Sequence, residues 1–147
     1  MSQLFEEKIV VKPEHLDALG HVNNVIYVKW MQDVALAHST VLGLDLDTFL
    51  ALKHAMVASE HQVKYRKACV LGDKLILRTW LGELNALSSL RHYAFYREND
   101  QEIVFQAQTR WVCVEIATGR VKRLSPTFTQ AYQPLDTTIN PMAFDQQ

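Results

Sequence analysis

Cysteine is scarce. Cys69 and Cys113 are the only two, too few for a disulfide scaffold and in keeping with a reducing compartment. An excess of either charge is also missing, with 15 Lys and Arg against 16 Asp and Glu and a formal net charge of -1. No basic field therefore favours nucleic acid or an anionic membrane surface. No apolar run reaches the roughly 18 uncharged residues of a membrane helix. Lys29 and Asp33 interrupt the best one. The start carries Glu6 and Glu7 where a secretory signal needs a basic region and then an apolar one. These absences predict a cytoplasmic protein. His15, His21, His38, His54, His61 and His92 are scattered, and no His or Cys spacing resembles a zinc site. There is no Gly-rich phosphate loop and no Gly-x-Ser-x-Gly elbow. Neither cysteine has a fitting catalytic partner nearby. No metal and no redox cofactor are expected. Internal repeats, linkers and low-complexity runs are absent as well.

What is present is an ordinary globular composition, 48% hydrophobic and 21% charged over 147 residues, which suits one domain. Phe5 to Lys12 reads as a strand stopped by Pro13. Asn24 to Leu42 reads as the main helix, with Lys29, Gln32, Asp33 and Thr40 as one narrow polar stripe on a mostly apolar cylinder. Gly43 is a natural stop, and Asp45 to Lys53 predicts a short second helix capped by Asp45 or Asp47. From Met56 the period becomes that of strands: Val57 to Arg66, Lys74 to Leu84, Ser88 to Glu98 and Ile103 to Ile116. A hairpin turn at Ala117-Thr118-Gly119-Arg120 predicts a short return strand over Val121 to Leu124. The short turns imply an antiparallel meander. Ser125-Pro126 opens a last helical turn or two, Ser as cap. The domain is expected over residues 1–133, with a tail over 134–147 that has no periodicity and is ordered only in part. A long buried helix and a long antiparallel sheet satisfy each other if the sheet curls round the helix. A second copy is the simplest cover for the edges left over.

One stretch carries chemistry: Asp17-Ala18-Leu19-Gly20-His21-Val22-Asn23-Asn24, running into the helix. Asn is a good N-cap, and a first helical turn offers unpaired N–H groups and a partial positive charge. An acid shortly before such donors is half of an acyl-transfer site, with a group to activate water and donors for a developing oxyanion. Asp17 also fits a plain Asx turn. As a chemical group it serves as general base or as nucleophile through a mixed anhydride. His21 is either a base or a group that holds the loop through the backbone. Glu60 and His61 are adjacent on a strand and face opposite ways, so they form no local acid–base pair.

With Tyr27 and Trp30, this stretch resembles the hotdog-fold acyl-CoA thioesterases of the 4-hydroxybenzoyl-CoA thioesterase type. Tyr65-Arg66-Lys67-Ala68, Gly72-Asp73, Ser88-Ser89, Trp111-Val112-Cys113-Val114, the 117–120 turn and Arg123-Leu124 extend the match from about Val10 to about Phe128. The resemblance implies an α+β hotdog fold, a long central helix wrapped by a curved antiparallel sheet of five to six strands. It implies cleavage of acyl-CoA to free acid and CoA, with Asp17 as the catalytic carboxylate. Backbone N–H groups near Asn23, Asn24 and Val25, with His21 as a positioning group, would polarise the carbonyl. It also implies active sites at a dimer interface, with dimers often paired into tetramers. Tyr27 would line an acyl pocket; Trp30 is read as core and carried as a second candidate for that pocket. Lys64, Arg66, Lys67, Arg120, Lys122 and Arg123 are candidate contacts for CoA phosphates; Ser89 and Arg91 share a strand face and are weaker ones. His15 and Lys12-Pro13 stand where members often carry a second acid and an Arg or Tyr, and Lys67 stands where many have Pro. Rival readings are an acyl-carrier-protein thioesterase, a non-hydrolytic acyl-CoA binding module, and a hotdog dehydratase or hydratase, for which Asp33 would be the helix acid.

Overall fold

The computed structural model describes residues 3–143. The tail expectation for residues 144–147 lies outside the described residues. Strand β1 is Phe5–Val10, followed by one 3₁₀ turn at Pro13–His15 and helix α1, Asn24–Val41. Helix α2 is Leu46–Leu52. Strands β2 (His54–Tyr65), β3 (Lys74–Leu84), β4 (Ser88–Arg97) and β5 (Glu102–Glu115) follow, then helix α3, Pro126–Ala131.

The five strands form one sheet in the order β1-β3-β4-β5-β2, every neighbouring pair antiparallel. β3, β4 and β5 are the predicted meander. β2 departs from it: rather than joining β3, it pairs with β5 from His54↔Glu115 to Tyr65↔Phe105. The segment 66–73 between β2 and β3 is too long for a tight hairpin, so the chain crosses to the other side of the meander. The predicted return strand does not form; Val121 makes only an isolated bridge to Val114. Register shifts at Ala58/Glu60, Leu81/Glu83 and Phe95/Tyr96 mark bulges, which bend and twist their strands.

α1 crosses one face of this sheet. Tyr27, Trp30, Met31, Val34 and Ala35 pack with Leu75, Leu77, Tyr93, Phe95 and Phe105 as the main core. Fully burying side chains of this size stabilises by about 1.5–3 kcal/mol each. Lys29, Gln32, Asp33 and Thr40 are exposed as the stripe predicts. Val25 and Leu36 are also exposed, at 71% and 56%, so the helix is less covered within one chain than its apolar composition predicts. The Asp45 side chain caps α2 by accepting from Thr48 N–H. Ser125 does not cap α3 with its side chain; its Oγ is buried without a partner.

Part of the tail packs against the sheet. Residues 134–143 form no helix or strand, yet Leu135 N–H donates to Leu81 O at 2.8 Å and Tyr96 OH to Met142 O at 2.7 Å. Leu135 and Met142 pack on Ile76, Trp80, Ala94 and Tyr96, so apolar burial on the outer sheet face holds this segment. Among the described residues no single helix is long and apolar enough to cross a membrane.

Candidate active site

The loop before α1 is built from its own backbone. Asp17 N–H donates to His21 O at 2.8 Å and Gly20 N–H to Asp17 O at 3.1 Å. Gly20 sits at φ +79, a left-handed conformation that glycine adopts without a Cβ penalty. Val22 N–H donates to Cys69 O, which ties the loop to the 66–73 connection. Asp17 Oδ1 accepts from Leu19 N–H at 2.9 Å and His21 N–H at 3.2 Å. The Asx turn is therefore real, and it occupies one oxygen. Oδ2 has no hydrogen-bond partner among the described residues.

Asp17, Leu19, His21, Val22, Asn24 and Tyr27, with Tyr65, Arg66, Lys67 and Ala68 from the end of β2 and the segment after it, line a groove of about 340 Å³. The carboxylate and the helix opening thus share a cavity. The amides divide unequally. Asn23 N–H donates to His15 O at 2.9 Å, and Val25 N–H to Asn23 Oδ1 at 3.0 Å. Asn24 N–H has no acceptor among the described residues. Of the three amides expected at the carbonyl, two are already engaged, because the loop return and the cap use them. Tyr65 OH donates to Asn24 O at 3.0 Å, which ties the end of β2 to the start of α1. Tyr65 belongs to the Tyr65-Arg66-Lys67-Ala68 motif, but its partner is 41 residues away, and no local pattern shows that.

Tyr27 borders the groove but is buried, stacked on Phe105 with centroids 4.9 Å apart. Burial and the nearby Cys69 thiol push its phenol well above the usual range, and burial pushes the Cys69 thiol up, so both stay protonated near neutral pH. Trp30 does not border the groove; it packs edge-on against His15 and Tyr27. Arg66 Nη1 donates to Gln106 Oε1 at 2.8 Å, and Lys67 Nζ lies 3.2 Å from Glu102.

The remaining basic candidates stand elsewhere in the chain. Lys64 lines a separate depression with Trp80, His92 and Gln106. Arg120 O accepts from Glu115 N–H at the far end of β5, whereas Arg66 N–H reaches Val104. That separation is eleven residues of strand, about 37 Å at ~3.4 Å each. Arg123 follows Arg120 and is exposed; Lys122 pairs with Glu115. Arg91 and Ser89 are buried, so they do not serve an entrance. His61 Nδ1 meets Thr109 Oγ1 at 2.7 Å and Glu60 accepts from Gln62; neither borders the groove. No group of His, Cys, Asp or Glu among the described residues fits a metal ion.

The sequence is 28% identical over 123 residues to the long-chain acyl-CoA thioesterase FadM of Escherichia coli, covering 81% of this chain and 89% of FadM. The fold is similar to a DHNA-CoA thioesterase from Staphylococcus aureus, with TM-score 0.80, 20% identity and 88% of each chain covered. It is also similar to the hypothetical protein SAV2348 from Staphylococcus aureus, solved in complex with CoA, with TM-score 0.84, 18% identity, and 97% and 94% of the two chains covered. A family model described as the thioesterase-like superfamily matches residues 11–132. The helix laid across one antiparallel sheet is accordingly a hotdog fold, and the chain belongs to the thioesterase-like superfamily.

Proposed function

We propose that this chain hydrolyses acyl-CoA thioesters to free acid and CoA in the groove at the start of α1. The observation that carries this reading is the shared wall: Asp17, with one oxygen unpartnered among the described residues, and Asn24, with its N–H likewise unpaired, line one cavity. The thioester oxygen accepts from Asn24 N–H, and the positive end of α1 favours the charge that develops there. Asp17 takes a proton from water, the hydroxide adds to the carbonyl carbon, and the C–S bond breaks to release the CoA thiolate, which regains a proton. In the nucleophilic version Asp17 adds to the carbon itself and water then opens the mixed anhydride. His21 and Asn23 position the loop and the helix start. The acyl group lies toward Tyr27.

Arg66 and Lys67 on the groove's rim suit the CoA phosphates. Lys64, Arg120 and Arg123 join the same site only if a second copy brings them alongside. The exposed Val25 and Leu36 on α1 and the free edge of β2 support such a homodimer, or a tetramer of dimers. Residues 1–133 and the docked tail then act as one domain. Two buried free thiols suit a cytoplasmic setting.

Thiol release from a panel of acyl-CoAs and acyl-carrier proteins, followed with a thiol reagent, tests the reading. Release from acyl-CoA supports it. Release only from the carrier protein changes the carrier. Binding without release at any chain length overturns hydrolysis, and loss of enoyl-CoA absorbance would then identify a hydratase.

A further inference from the structure

A second cavity, about 110 Å³, lies between the middle of α1, α2 and strands β4 and β5. It shares no lining residue with the Asp17 groove. Ser39, on its wall, follows Asn24 by fifteen residues of helix, about 22 Å at ~1.5 Å per residue. Arg91, which is 2% exposed, is part of its wall.

Arg91 Nη1 meets His38 Nδ1 at 2.9 Å and donates to Thr79 Oγ1 at 3.1 Å. Guanidinium has no acceptor, so in this contact Arg91 donates and His38 Nδ1 accepts. The Nε and Nη2 hydrogens have no protein acceptor among the described residues, and no carboxylate there pairs with Arg91. Burial holds this guanidinium below its ordinary value, but an arginine keeps its charge in a protein. A buried cation with no acid paired to it among the described residues is incomplete, since buried charges are ordinarily paired. Arg78, the other fully buried arginine, has Glu6 at 2.7 Å. The rest of the cavity is mainly apolar, with Leu36, Phe49, Met56 and Trp111 in its wall. Ser39 Oγ and Tyr132 OH, 2.9 Å apart, add hydroxyls beside the cation. A water-sized group needs ~10–15 Å³ of such space, so several heavy atoms fit.

We propose that this cavity binds a carboxylate carried on a small apolar body, the carboxylate paired with Arg91 and the apolar part against Leu36, Phe49, Met56 and Trp111. The inference is independent of hydrolysis at Asp17. The carboxylate comes either from a free organic acid or from the far end of a long acyl group.

Calorimetric titration of the full chain with hexanoate, and with hexan-1-ol as the uncharged match, tests it. Hexanoate is expected to bind once per chain at this cavity, at least tenfold tighter than the alcohol. Arg91→Met is expected to remove that preference, while Asp17→Asn keeps it and so excludes acid held in the groove. No hexanoate binding, equal binding of the alcohol, or an unchanged preference in Arg91→Met overturns the proposal. If circular dichroism shows that Arg91→Met does not fold, Met56→Trp, a change at a partly buried wall residue, decides: weakened hexanoate binding supports the site and unchanged binding overturns it. Hexanoate that inhibits release from dodecanoyl-CoA but not from acetyl-CoA identifies the far end of an acyl group; hexanoate without effect on either identifies a free acid. Both results support the site, and the calorimetry stands even if no thioester is cleaved.

Discussion

Asp17 presents its two oxygens to two different tasks. Oδ1 holds the turn through Leu19 and His21, and Oδ2 has no hydrogen-bond partner among the described residues. A carboxylate fixed by one oxygen loses little further freedom when the other acts, which is what a positioned base needs. Asn23 does similar double service, its carbonyl oxygen capping α1 through Val25 N–H. Asn23→Ala is expected to cost about 1 kcal/mol of stability, read as a lower denaturant midpoint, because the capping acceptor is removed. The acid, the glycine and the helix start were legible because they act within eight consecutive residues. The division of amides was not: sequence shows that an Asn can cap, not which N–H it takes. Nor was Arg91, since strand alternation pairs it with Ser89 on one face without saying that the face is the inner one.

The elements repeat this pattern. β3 begins and ends where the hydrophobic period predicts, and α1 ends one residue early, because turn and cap chemistry is local. The partner of β2 was hidden, since a strand's period does not name its neighbour. The bulge in β3 has a use on the outer face. Gly82 there lies against the His92 imidazole, and a Cβ at that position would overlap the ring. His92 stacks on Trp80 with centroids 5.7 Å apart. Burial lowers its pKa from 6.5, and Glu83 opposes that in part. The folded chain therefore takes this proton later than the unfolded chain as pH falls. Its contribution is fully present above the unfolded value and declines as pH drops through 6.5 toward the lower folded value. Urea midpoints at about pH 7.5 and about pH 5.5 should differ more for the wild-type chain than for His92→Gln. Equal differences would show that His92 carries none of the pH dependence.

At the scale of the whole molecule, one chain leaves the long edge strand β2 and the exposed apolar residues on α1 without cover among the described residues. The proposed second copy would cover both, and would offer a route for Arg120 and Arg123 to reach a groove that their own chain keeps about 37 Å away along β5. Light scattering should give two or four times the chain mass, and Val57→Lys, a charge on the exposed edge strand, should shift it toward the monomer. A monomeric wild-type chain would leave those arginines out of the site. The architecture was readable because one long helix and strands of period two admit few packings; assembly was not, because exposed apolar residues do not name their cover. The central claim is that Asp17 and the Asn24 amide act on one thioester carbonyl, and its most direct test is the rate of thiol release by Asp17→Asn beside the wild-type chain, on the same acyl-CoA and with matching circular dichroism. A loss of at least ~10²-fold is predicted; an unchanged rate in a folded variant would contradict the account.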